Sequence, residues 1–144
     1  MPYGEGAARW AGSTYDPTSH YRAARVFDFF EAEALAPELL RSVSQHQVGR
    51  LAAAFDALDL DPALIARDRS VPLATVAGFV ALTSPRAAGI SAALKARGVS
   101  TDYRGEILRL GPAPYLCDAQ LDEAVRLLGD VVRDPATSTL RPRA

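Results

Sequence analysis

Arg109 is the residue of this chain whose type and setting bear most directly on chemistry. It stands in the stretch Tyr103-Arg104-Gly105-Glu106-Ile107-Leu108-Arg109-Leu110-Gly111-Pro112-Ala113-Pro114-Tyr115. That stretch reads as a hairpin turn at Gly105, a short strand, and a proline-interrupted loop ahead of a helix opening at Asp118. Leu108 and Leu110 alternate with Ile107 and Arg109, so a period of two puts the guanidinium on one face of the strand among apolar neighbours. A cation so placed is either paired within the protein, its stem lying along apolar surface at the sheet edge, or it is the seat of an anion. For a carboxylate the residue type matters: a planar guanidinium offers two parallel N–H donors, which a lysine ammonium does not.

The other reactive residue types are few and isolated. His20 and His46 have no partner by spacing, and the single cysteine, Cys117, excludes a disulfide framework within the chain. No Cys/His spacing suits a metal. The single lysine, Lys95, lies in Ala92-Ala93-Leu94-Lys95-Ala96-Arg97-Gly98 and reads as a solvated helix residue. There is no phosphate-binding glycine loop, no G-x-S-x-G elbow and no pair of carboxylates at a catalytic spacing. A net charge of -1 without a Lys/Arg run gives no field for nucleic acid. The polar, glycine-rich start and the lack of a span of about 18 apolar residues argue against a membrane partner. A cytoplasmic protein is the expectation.

Elements must position Arg109, and their signals can be taken in chain order. Asp16-Pro17 is a helix start, followed by Ala23, Val26, Phe27, Phe30 and Ala34 at helical spacing. A second helix runs from Pro37-Glu38 to about Leu58 with Leu40, Val43, Val48, Leu51 and Phe55. Its polar block Ser44-Gln45-His46-Gln47 reads as a wet face, or as a surface toward another domain or subunit. Because Phe27, Phe29, Phe30 and Leu40 cannot all face one small sheet, the first two helices should expose an apolar patch. Asp61-Pro62 opens a short turn, and Arg67-Asp68-Arg69-Ser70 reads as a charged loop. Ala74 to Thr83 is apolar on both alternating faces, which predicts a strand buried on both sides. Ser84-Pro85 starts a helix that stops at Gly98. Val99, Thr101 and Tyr103 make a second strand, Ile107 to Leu110 a third, and Leu121, Ala124, Val125, Leu128 and Val132 a last helix.

With 144 residues, 49% hydrophobic and 23% charged, the chain is long enough to bury a core. The order helix-helix-strand-helix-strand-strand-helix predicts an α+β fold: long N-terminal helices plus a small, largely antiparallel three-stranded sheet covered by helices. Residues 1–15 read as a connecting loop, 16–133 as one domain, and 134–144 as a disordered tail.

The run Arg109-Leu110-Gly111-Pro112-Ala113-Pro114-Tyr115 with a helix directly behind it resembles the C-terminal small domain of class V, fold-type I pyridoxal-phosphate (PLP) enzymes, kynureninase-like ones most closely. The resemblance extends over roughly Gly4 to Val132. It includes A-A-R-W-A-G-S-T before the first helix, S-V-S-Q-H-Q-V in the second, and G-V-S-T-D-Y-R-G before the third strand. It implies that Arg109 binds the α-carboxylate of an amino-acid substrate. It also implies that Gly12, Ser13 and Thr14 approach the PLP phosphate or the substrate of a second subunit, small residues with free backbone N–H groups being suited to an oxyanion. A loop whose Ser and Thr merely satisfy a turn is the other reading of these three.

In the resembled enzymes PLP sits on a large domain, held by a Schiff-base lysine that precedes the matched region. This chain therefore resembles a C-terminal part whose partner is a PLP-bearing large domain, in a homodimeric enzyme that hydrolyses L-kynurenine to anthranilate and alanine. On its own it should be inactive and should not hold PLP. A related aminotransferase or cysteine desulfurase fragment, a ferredoxin-like regulatory domain and a pure interaction module are the alternatives. Under the enzyme reading Arg109 should be exposed and lack a carboxylate partner. An Arg109 buried and paired with an internal Asp or Glu marks a structural cation instead.

Overall fold

The computed structural model describes residues 5, 6, 9 and 16–134. Among these residues four α-helices and four short strands follow one another as α1 (Thr18–Ala32), α2 (Pro37–Ala57), β1 (Ala66–Arg67), β2 (Val80–Thr83), α3 (Ala87–Ala96), β3 (Asp102–Arg104), β4 (Ile107–Leu110) and α4 (Asp118–Arg133). The chain divides into two compact units, Met1–Leu39 and Leu40–Ala144. In the first, the Asp16 carboxylate accepts hydrogen bonds from the backbone N–H and hydroxyl of Thr18. These bonds hold its pKa below the usual carboxylate range and start α1 one residue later than the proline signal suggests. No residue of α1 is buried. Phe27, Phe29 and Phe30 are all exposed, as the expectation of an apolar patch has it, whereas Leu40 is half-buried.

The second unit is built on an all-antiparallel sheet in the order β1-β2-β4-β3. Because β2 and β3 both run opposite to β4, they run in the same direction, and α3 makes the crossover between them. This is a split β-α-β unit with β4 inserted. The fold is α+β as the pattern predicts, with one strand more than expected: β1 is two residues long, too short for any periodicity to reveal, and overlaps the start of what reads as charged loop at Arg67.

Side chains alternate across the sheet. Val80 pairs with Leu110 and Leu82 with Leu108, and these four are buried. They meet Val48, Leu51 and Phe55 of α2, Ile90 and Leu94 of α3, and Leu121, Val125 and Leu128 of α4 in one core. The opposite face carries Ala81 and Thr83, both exposed, together with Arg109. The expectation of a doubly buried strand over Ala74–Thr83 is therefore corrected in two ways. Leu73–Thr75 is a single 3₁₀ turn, and the strand proper spans Val80–Thr83 with only one face covered. The physical reason is a competing acceptor role: the carbonyls of Ala74 and Val76 take hydrogen bonds from the Arg41 guanidinium rather than from a neighbouring strand.

Local chemistry sets the remaining boundaries. At the end of α3 Gly98 has φ +86, with its N–H on the Lys95 carbonyl and the Val99 N–H on the Leu94 carbonyl, the double bond of a Schellman stop. Strands β3 and β4 are joined by the two-residue loop Gly105-Glu106. Gly105 takes φ +55 at the first loop position, where a II′-type hairpin turn favours glycine. Ser84, fully buried, donates its hydroxyl to the Leu64 carbonyl and accepts from the Arg86 N–H, tying β2 to the segment before β1 and to the start of α3.

Candidate functional site

Arg109 lies on β4, an inner strand, directly between Ala81 of β2 and Asp102 of β3. Its guanidinium carbon stands 5.5 Å from the centroid of the Phe79 ring, a cation–π geometry. Its Nη2 forms an ion pair with the Asp102 carboxylate. One side chain is thus held from below by an aromatic face and at one nitrogen by a cross-strand acid. The strand supplies the placement: Leu108 and Leu110 must turn into the core, so Arg109 must turn out of it.

This arrangement corrects the expectation of an exposed Arg109 free of any carboxylate. The pairing is with an acid of the chain itself, as a structural cation requires. The burial is not: 25% of the Arg109 side chain is exposed, and its partner Asp102 is 60% exposed. Among the described residues, Asp102 at Nη2 is the polar partner of this guanidinium, and its Nε and Nη1 remain available.

The loop after β4 is held by the polar block of α2, which is where reading this block as a wet face fails. Gln47 is buried, and its amide donates to the carbonyls of Ala113 (3.0 Å) and Leu116 (3.1 Å). His46 Nε2 lies 2.8 Å from Asp118, the first residue of α4. Arg50 extends the contact, with Nε and Nη2 on Asp122 (2.8 and 2.5 Å) and Nη1 on Asp118 (3.0 Å). The hydrogen bonds from Arg50 hold Asp122 below the usual carboxylate range and raise Arg50 in turn. On the other flank Ser44 packs against Gly78, where an added Cβ would come within 3.3 Å of the Ser44 hydroxyl. Both segments that flank Arg109, residues 73–79 and 111–117, are thus fixed to the same two turns of α2.

The sequence does carry a signal for this. Gln47 falls four residues after Val43 and four before Leu51, on the apolar stripe itself, and a polar residue in that position must be buried with partners. Beside this frame Val48, Val71, Leu73, Val76, Phe79 and Ala81 line much of an apolar cavity of about 350 Å³.

Gly12, Ser13 and Thr14 lie outside the described residues. Lys95 is exposed in the last turn of α3. His20 is exposed on α1. Cys117 is exposed and precedes α4, where its backbone N–H is bonded to the Gln120 side chain. Among the described residues no group of His, Cys, Asp and Glu is placed to hold a metal ion, and no helix is long and apolar enough to cross a membrane.

Residues 69–128 match the model of the kynureninase C-terminal domain. These residues, less than half of the chain, are similar to that domain. They run from the loop before β2 through β4 and most of α4, and so contain Phe79, Asp102 and Arg109. None of the curated proteins compared with the chain matches it. Kynureninases as a family depend on PLP, and the one lysine of this chain, Lys95, is exposed at the end of α3.

Proposed function

We propose that this chain is the C-terminal part of a kynureninase-like enzyme and that Arg109 grips the α-carboxylate of its amino-acid substrate. The observation that carries the reading is that the family match encloses an arginine on the open face of the sheet. Phe79 lies under it, and the loop beside it is braced by Gln47. A guanidinium fixed on an inner strand is already oriented before the ligand arrives, which reduces the entropy lost on binding. PLP and its lysine belong, in this reading, to a separate large domain, which supplies the bond-breaking chemistry that hydrolyses L-kynurenine to anthranilate and alanine. This chain supplies orientation.

The same reading gives the exposed phenylalanines of α1 a role as contact surface for the large domain or for a second subunit of a cytoplasmic homodimer. It also gives Gly12, Ser13 and Thr14 an approach to the cofactor phosphate. The split β-α-β topology is compatible with a ferredoxin-like regulatory domain as well, and the family match is what weighs against that alternative.

The test combines the chain with a kynureninase large domain that keeps its PLP lysine but lacks its own C-terminal domain. Release of anthranilate from L-kynurenine is followed by fluorescence. Activity is expected to depend on added chain, and Arg109→Lys is expected to lower it mainly through KM. Arg104, exposed on β3, is the control. Equal losses for Arg104→Lys and Arg109→Lys would sink the assignment.

A further inference from the structure

We infer that Asp102 is an internal competitor for the ligand of Arg109: its carboxylate occupies the guanidinium at rest and yields Nη2 when a substrate carboxylate binds. The inference rests on the carboxylate-binding role proposed for Arg109. It follows from an asymmetry within the pair. Arg109 sits on the inner strand β4, only a quarter exposed and backed by Phe79. Asp102 opens β3, a three-residue strand at the sheet edge, and is 60% exposed. The arginine is the fixed member of the pair and the aspartate the movable one.

The geometry of the contact points the same way. Asp102 meets the guanidinium at Nη2. Nη2 is shared by both two-pronged edges of a guanidinium, the one it forms with Nε and the one it forms with Nη1. A carboxylate binding through two parallel hydrogen bonds must therefore use Nη2, whichever edge it approaches. It meets Asp102 there, and two carboxylates on one nitrogen repel each other. Releasing Asp102 costs little, because an exposed carboxylate is rehydrated as it swings outward and exposed ion pairs contribute weakly. The contact then serves two ends: it keeps an otherwise uncompensated cation neutralised on an open sheet face, and it sets a threshold that only a well-placed carboxylate passes.

The experiment uses the full chain labelled with ¹⁵N-arginine, titrated with L-kynurenine and read at the Arg109 Nε–H resonance, which Arg109→Lys identifies by its loss. Asp102→Asn keeps the side-chain shape and removes the charge. It is expected to tighten binding about 3- to 10-fold, the scale of one weak ion pair plus one removed repulsion. Asp102→Ser guards against an amide that binds Arg109 in its own right, and it should tighten binding in the same sense. Equal or weaker binding by both variants, with the backbone spectrum unchanged, would overturn the inference and make Asp102 a residue that orients Arg109. If the resonance shifts in neither the parent chain nor the variants, the carboxylate-binding role of Arg109 fails, and the inference with it.

Discussion

Arg50 and Arg109 each meet aspartate across two elements, and they differ in how much of the guanidinium is committed. Arg50 spends all three nitrogens on Asp118 and Asp122, joining α2 to α4. Arg109 commits Nη2 to Asp102 and lays its face on Phe79. The first arrangement is closed and can only hold structure. The second keeps donors in reserve on the sheet face opposite the core, as a residue must if a ligand is to find it. Pairing with an acid therefore does not by itself distinguish the two arginines; the number of donors left over does.

Substitutions can break or sharpen this contrast. The largest effect is expected for Arg109→Lys in the enzyme reconstituted with a large domain, where kcat/KM falls about 10- to 150-fold, about 1.5 to 3 kcal/mol for a charge-assisted pair lost. The thermal midpoint of the chain itself should stay within a degree or two of the parent, roughly the shift of a surface change. A large drop in that midpoint would place Arg109 with Arg50.

Next comes Asp56→Ala, which strips the carboxylate from Arg67, only 12% exposed, and from Arg69. A loss of about 1 to 3 kcal/mol in urea unfolding is expected for the charge left without its partner. Arg67 first, then Arg69, holds the Asp56 pKa below the usual range. A carboxyl lowered in the folded state stabilises above its unfolded value of about 4, and that contribution disappears as pH falls toward the folded value. Asp56→Asn should therefore flatten the acid limb of the stability profile and leave the slope near neutrality unchanged.

Gln47→Leu should cost about 1 to 2 kcal/mol through the Leu116 carbonyl left unsatisfied. Because the loop it braces follows β4, this variant should also raise KM in the reconstituted enzyme. Unchanged KM would show that the loop does not position Arg109. Arg50→Lys is expected to have the smallest effect, a slight fall in stability with no change in KM, measured on the same samples.

How much of this was legible in the sequence depends on whether the controlling interaction is local. The Schellman stop at Gly98, the turn at Gly105 and the start of α4 at Asp118 are each set by residues within one turn of themselves, and all three stand where the sequence puts them. The outward placement of Arg109 was legible for the same reason, through its alternation with Leu108 and Leu110. What escaped was long-range. Arg41 reaches the Ala74 and Val76 carbonyls across more than thirty residues and turns an apolar run away from strand pairing. Asp102 meets Arg109 only because a hairpin folds one strand onto the next. Gln47 escaped too, read as part of a wet face although a polar side chain on an apolar stripe carries the signal for a buried contact.

The loop Gly105-Glu106 contacts neither Asp102 nor Arg109 in the cross-strand register, yet its length decides what Arg109 sees. With two residues in the loop, Arg104 lies opposite Ile107, Tyr103 opposite Leu108, and Asp102 opposite Arg109. A residue inserted after Gly105, with the turn kept at two residues and ending on Glu106, moves every β3 pairing along β4 by one, and side chains that lie opposite each other share a face. Tyr103 would then stand against Arg109 and offer a neutral phenol where the carboxylate now lies. The charge beside the arginine is in this sense counted out by the turn, and a single inserted codon there would rewrite the local electrostatics without altering either charged residue.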